Sequence, residues 1–212
     1  LKGGREAMRT NQVLGEVIAQ ATAEVEGVPA GWLALLETRE DVREMLKQDE
    51  SIDLIVPRGS NEFVRYIMEN TRVPVMGHAD GVCHVYVDQE ADVDKAVRVV
   101  VDSKTQYVAV CNAAEALLVH RDIAESFLNR ALQALASKGV KVRGDGRTRA
   151  LSGANGQVEK ATAEDWGREY LDYILAVKVV DSLEEAVEHI NHYGSHHTDA
   201  IVTEDEDAAL QF

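Results

Sequence analysis

Apolar residues recur at four-residue spacing between positions 11 and 26, where Val13, Val17 and Ala21 share a face and Gly27 with Pro29 stops the pattern. That spacing predicts a helix. Short unbroken apolar runs follow, and residues 32–36, 52–56 and 73–76 read as strands. Between them, Thr38-Arg39-Glu40-Asp41 starts one helix and residues 61–70 form another. Strand and helix alternating over short connections predict a parallel α/β architecture with right-handed crossovers.

The glycine-bounded turn Gly77-His78-Ala79-Asp80-Gly81 marks a domain boundary, dividing the chain into 1–78 and 79–212. Beyond it the apolar run 82–87 is a strand, and Ala91-Asp92-Val93-Asp94 is the acidic start of a helix. Residues 116–120 read as a strand and 123–137 as a helix. The charged, glycine-containing stretch 138–160 shows no period and reads as a connection. Residues 173–180, 183–193 and 199–203 add strand, helix and strand. The first residues resemble a strand end and the last a helix cut in mid-pattern, so part of a larger protein is expected.

Composition narrows the class. The chain has 212 residues, 45% of them hydrophobic, which is enough for a sizeable core. Lys and Arg total 22 against 37 acidic residues, a formal net charge of -15. Such a field disfavours nucleic acid as a partner, although a local site can reverse the sign for a small anion. No signal-like terminus and no apolar run of about 18 residues is present, so neither secretion nor a membrane partner is expected. The two cysteines form neither a disulfide framework nor a zinc pattern, which suits reduced thiols in the cytoplasm.

Cys111 ends the run Gln106-Tyr107-Val108-Ala109-Val110 and precedes Asn112-Ala113-Ala114-Glu115, which reads as the beginning of a helical turn. A thiolate there would be nucleophilic. Position alone favours the plainer reading, a buried core thiol. Cys83, inside an apolar strand, reads as core. Arg58-Gly59-Ser60-Asn61 joins a strand to a helix, where exposed N–H groups suit an anion and Ser60 suits an N-cap. Lys2 beside Gly3 and Gly4 is by composition only a loop cation. The histidine-dense segment Gly194-Ser195-His196-His197-Thr198-Asp199 lacks a third metal ligand, so no metal is expected; it reads as an anion-recognising or simply exposed turn. Glu169 reads as a solvated carboxylate or a contact to a sugar hydroxyl, and His78 and His84 carry no signal alone.

Taken in order, segments 52–61, 74–88, 111–115, 165–172 and 193–205 closely resemble the gamma-glutamyl phosphate reductase family of the aldehyde dehydrogenase superfamily. They include Pro57-Arg58-Gly59-Ser60-Asn61, Asp80-Gly81-Val82-Cys83-His84, Cys111-Asn112-Ala113-Ala114-Glu115 and Glu169-Tyr170-Leu171-Asp172. The resemblance implies the latter part of a Rossmann-like NADP-binding domain over 1–78 and a catalytic domain over 79–212. It implies NADPH-dependent reductive dephosphorylation of L-glutamyl 5-phosphate to glutamate 5-semialdehyde in proline synthesis. Cys111 matches the family's nucleophile, which forms a thioester that a hydride then reduces. Asn112 is implied as an oxyanion donor through its N–H, and His197 as a substrate or structural residue. Lys2, Gly59, Ser60 and Glu169 are implied cofactor contacts.

The resemblance also implies a homo-oligomer, allows association with glutamate 5-kinase, and fits the reductase part of a bifunctional synthase equally well. An oxidising dehydrogenase is the enzymatic alternative, disfavoured because oxidising relatives carry a hydrolytic glutamate where this chain has Val75-Met76-Gly77-His78. A noncatalytic binding protein on the same fold is the other. Val108 stands where the family commonly has proline, and His196 where it has a smaller residue.

Overall fold

Leu1–His78 and Ala79–Phe212 fold as separate units in the computed structural model, which describes residues 1–77, 80–152 and 158–212. The expected boundary turn includes His78 and Ala79, which lie outside the described residues.

The first unit contains α1 (Met8–Thr22), α2 (Arg39–Met45) and α3 (Asn61–Glu69). Thr38 and Asp41 form a reciprocal capping box at the start of α2, satisfying two N–H groups that the helix leaves open. Leu46, Ile55, Ile67 and Val73 make a small core. The strands expected at 32–36, 52–56 and 73–76 are not formed. Among the described residues of this unit, strand pairing is a parallel bridge between Ile55 and Val75. There Ile55 N–H donates to the Pro74 carbonyl at 2.9 Å and Met76 N–H to the Ile55 carbonyl at 2.8 Å. Pro57 and Pro74 have no N–H to donate, which stops a ladder from growing past this bridge. The backbone of residues 32–36 is bonded to Leu1, whose amino group donates to the Ala34 carbonyl and whose carbonyl accepts from Leu36 N–H, each at 2.7 Å, and the Trp32 side chain donates to Thr22 Oγ1 of α1 at 3.0 Å.

The second unit contains β1 (Cys83–Val87), α4 (Val93–Thr105), β2 (Ala114–His120), α5 (Arg121–Ser137), β3 (Lys141–Gly144), α6 (Gly146–Leu151), β4 (Val158–Lys160), β5 (Ile174–Val180), α7 (Leu183–Tyr193), β6 (Asp199–Val202) and α8 (Glu206–Gln211). Its sheet has the order β4-β3-β5-β2-β1-β6. Every recorded strand pair is parallel. Strand side chains alternate between two buried faces. Val85, Val87, Leu117 and Val119 pack with Val100 of α4 and Phe127 and Leu128 of α5, while Tyr86 and Leu118 pack with Ala186 and Ile190 of α7. Both β1 and β2 are buried throughout, which explains their unbroken apolar character.

Two expectations for this unit are corrected. The stretch 138–160 is not a plain connection: it carries β3, α6 and β4, with residues 153–157 outside the described residues. These elements are too short to show a period, and α6 depends on Asp145, whose carboxylate accepts Thr148 N–H at 2.8 Å. Residues 112–115 do not begin a helical turn. Two successive turns close there, Val110 N–H on the Tyr107 carbonyl and Ala113 N–H on the Val110 carbonyl, and β2 then starts at Ala114. Pairing of Ala114 with Cys83 draws these residues into the sheet two positions before the expected strand.

Candidate active site

Parallel strands share a direction, so the segments preceding adjacent strands meet at one edge of the sheet. β5, β2, β1 and β6 are consecutive neighbours. Glu169–Asp172 precedes β5, Cys111 and Asn112 precede β2, Gly81 and Val82 precede β1, and His197 precedes β6. Four segments far apart in sequence are thereby brought to the same edge, and with them all four candidate residues of this unit.

Cys111 is exposed, not buried as its position alone suggested. The turns before β2 hold it short of the sheet. Its carbonyl, by contrast, is packed against the interior. Gly81 lies so close that a Cβ there would fall 2.0 Å from the Cys111 oxygen and 2.9 Å from its Cα. The Cys83 thiol donates to the same oxygen at 3.2 Å. Cys83 is 2% exposed, and burial pushes its thiol up to about 11. Of the two cysteines, one is fixed in protonated form in the core and the other is presented to solvent. Asn112 is exposed, and its backbone N–H donates to no acceptor among the described residues.

Glu169 is half-buried and accepts Gly81 N–H at 2.9 Å, so it is not a solvated flank carboxylate. The residue after it, Tyr170, donates its hydroxyl to Asp165 at 2.8 Å, and Arg143 donates to the same oxygen at 2.6 Å. Burial opposes the Asp165 charge, but hydrogen bonds from Thr162, Arg143 and Tyr170 hold the carboxyl down at about 2. Leu171 N–H donates to Glu115 at 3.2 Å.

His197 is exposed, with Nδ1 2.9 Å from its neighbour's Thr198 Oγ1. The loop carrying it is tied to β1 by Ser195, whose hydroxyl accepts Val82 N–H at 3.0 Å. His84 is 1% exposed, and its Nδ1 lies 3.2 Å from Asp199 Oδ1, which also accepts His84 N–H at 2.9 Å. Among the described residues no group of three or more His, Cys, Asp or Glu side chains is arranged to hold a metal ion.

Lys2, Gly59 and Ser60 lie in the first unit. Lys2 and Ser60 line one cleft of about 840 Å³ together with Arg5, Arg39, Arg43 and Phe63. Glu37 and Glu62 are the acidic residues on this lining, so four cations face two carboxylates in a chain of strongly negative net charge. Lys2 Nζ donates to the Gly3 carbonyl. Ser60 caps α3, accepting Phe63 N–H at 3.3 Å. Gly59 precedes it with a positive φ of 155°, and a Cβ there would meet the Phe63 ring at 3.1 Å.

Several contributors were not singled out from sequence. Gly81 and Ser195 lie in segments quoted above, but their contacts, a close approach to the Cys111 backbone and a hydroxyl accepting Val82 N–H, are not readable from residue type. Arg5, Arg39 and Arg43 gather only by folding. Lys104 did carry a signal: it falls in helical register with Ala96 and Val100, the buried face of α4, where a cation requires a buried partner.

The aldehyde dehydrogenase family model matches residues 2–154. The chain is 60% identical over 212 residues to gamma-glutamyl phosphate reductase of Acetivibrio thermocellus, covering 100% of this chain and 48% of that protein. It is 51% identical over 213 residues to the enzyme of the same name from Methanococcoides burtonii, covering 47% of it. The crystal structure of gamma-glutamyl phosphate reductase from Thermotoga maritima superposes with a TM-score of 0.94 at 40% identity, over 99% of this chain and 50% of that one. The chain thus spans about half the length of the relatives it matches.

Proposed function

The chain belongs to the aldehyde dehydrogenase family, and on that premise we propose that it supplies the nucleophile and part of the cofactor site of a reductase converting L-glutamyl 5-phosphate to glutamate 5-semialdehyde. The names of its relatives support this reading. The observation that carries it is the placement of Cys111: an exposed thiol on a backbone held from behind by Gly81 and Cys83.

The Cys111 thiolate attacks the acyl carbonyl, forming a C–S bond as the C–O bond to phosphate breaks and phosphate leaves with the electron pair. The Asn112 N–H is the donor for the oxyanion that develops at each tetrahedral stage. NADPH, when bound, supplies the hydride that brings the thioester to the aldehyde level. Expulsion of the Cys111 thiolate then releases the aldehyde, and the residue is ready for another acyl group.

The surplus of cations on the first unit's cleft suits the phosphates of a dinucleotide, and Lys2, Ser60 and Gly59 are its contacts in this reading. Glu169 is the contact to the nicotinamide ribose, and His197 faces the substrate. With these assignments go a homo-oligomer, a cytoplasmic setting and association with a glutamate 5-kinase.

The test uses the full-length protein. Phosphate-dependent reduction of NADP with glutamate 5-semialdehyde is expected in the wild type and is abolished in a folded Cys111→Ala variant. Turnover that survives the substitution would remove Cys111 from the mechanism. Phosphate-independent oxidation of the aldehyde would identify an oxidising dehydrogenase instead.

A further inference from the structure

Glu115 stands on a strand buried on both faces and is itself 1% exposed. Its partner Lys104 is 0% exposed, with Nζ 2.6 Å from Glu115 Oε2. Burial pushes the Glu115 carboxyl up and the Lys104 ammonium down, and their mutual hydrogen bond opposes both shifts. A buried pair of this kind is often no more stabilising than apolar residues of the same volume. Stability alone therefore does not account for it.

The other carboxylate oxygen does what an apolar pair cannot. Glu115 Oε1 accepts the Leu171 N–H at 3.2 Å. Leu171 has a φ of 53°, a conformation uncommon for a branched side chain, which persists where surrounding contacts enforce it. Two residues earlier, Glu169 accepts Gly81 N–H at 2.9 Å. Gly81 in turn lies against the Cys111 carbonyl, and Cys111 leads through Ala113 and Ala114 back to Glu115. The contacts form a closed ring: Cys111, Glu115, Leu171, Glu169, Gly81 and Cys111 again.

We infer that Glu115, fixed by Lys104, is a positioning residue: through the Leu171 amide it sets the Glu169 segment against the Gly81–Cys111 contact. Neither charge touches a reacting atom. They act by keeping the nucleophile's turn and the Glu169 segment in one register, so that displacement of either is felt at the other. Its consequence for turnover rests on the reductase reading; the coupling of the two segments does not.

Two double variants of the full-length protein separate positioning from plain stability. Lys104→Met/Glu115→Gln removes both charges but keeps a side-chain oxygen for Leu171. Lys104→Met/Glu115→Leu removes the oxygen as well. In the leucine double, amide hydrogen exchange at Leu171 and at Gly81, which Glu115 does not touch, is expected to accelerate about fivefold to tenfold, the worth of one net hydrogen bond. The glutamine double is expected to keep wild-type protection at Gly81. Cys111 alkylation by iodoacetamide should change severalfold in the leucine double only, and there the KM for NADPH should rise while kcat falls less. Unchanged Gly81 exchange in the leucine double, or equal change in both doubles, would overturn the inference.

Should the leucine double not fold, Glu169→Ala cuts the ring at its other link and must accelerate exchange at Leu171. Protection that stays at the wild-type level there is equally fatal to the proposal. A wild-type protein without NADPH-dependent turnover would end the reductase reading, while exchange and alkylation would still decide the coupling.

Discussion

Gly81 and Cys111 meet backbone to backbone, so closely that a single methyl group on Gly81 would overlap the Cys111 carbonyl at 2.0 Å. The atoms it would strike are main-chain atoms, which cannot swing aside as a flexible side chain does. Gly81→Ala must therefore push the turn bearing Cys111 outward. Mispositioning by about 1 Å costs on the order of a hundredfold in rate. A folded Gly81→Ala protein is expected to lose turnover by about that factor, with substrate binding much less affected. Steady-state kinetics beside circular dichroism would check it, and near-normal kcat would show that the turn tolerates the shift.

The two thiols should respond differently to an alkylating agent. Cys111 is exposed, whereas Cys83 is buried with its thiol pushed up to about 11. Native protein at neutral pH should take up a single iodoacetamide group, at Cys111, with a second appearing only in denaturant. Mass spectrometry of the peptides reads this directly. Rapid native labelling of Cys83 would contradict the burial that separates it from the exposed Cys111.

Much of the second unit is legible in the sequence because its elements are long and buried on one or two faces. Residues 183–193 match α7 to the residue, and α5 differs from the expected helix by two positions at its start. The failures have two causes. β3 and β4 are too short for periodicity to show, and the strands expected in the first unit lack the successive partners that turn an extended run into a ladder. The family resemblance named the candidate residues one by one, and their geometry was not legible. Nothing in positions 81, 115 and 169 taken singly says that a parallel sheet brings them to one edge, or that Glu169 accepts a backbone N–H there.

Acid should weaken the fold through His189. Burial, assisted by the Lys178 charge, pushes its imidazole from 6.5 down to about 3, and it packs edge-on against Trp166 with ring centroids 5.6 Å apart. The folded protein keeps this ring neutral, while the unfolded chain takes up a proton below pH 6.5. Its contribution is therefore complete above pH 6.5 and declines as pH falls toward 3. Between pH 6.5 and 5, above the range where ordinary carboxylates titrate, this one proton lowers stability by up to about 1.4 kcal/mol per pH unit. His189→Phe should flatten the urea-midpoint profile across that window. An unchanged slope would mean that His189 is protonated in the fold.

The first unit's cleft tests the cofactor assignment by charge. Lys2, Arg5, Arg39 and Arg43 outnumber the acidic residues on its lining, against the sign of the whole chain. On the cofactor reading, part of such a cluster serves the pyrophosphate that every dinucleotide carries, and the rest serves the added ribose phosphate of NADPH. Charge-assisted contacts to such a group are worth about 1.5–3 kcal/mol each, so reversing one cation should raise the KM for NADPH by at least about tenfold. The KM for NADH should move little where the reversed cation faces the added ribose phosphate, which NADH lacks. Lys2→Glu and Arg39→Glu in the full-length protein, each assayed with both nucleotides, measure the difference. Equal loss with the two cofactors would place the cations at the shared pyrophosphate, and no loss with either would take the dinucleotide out of this cleft.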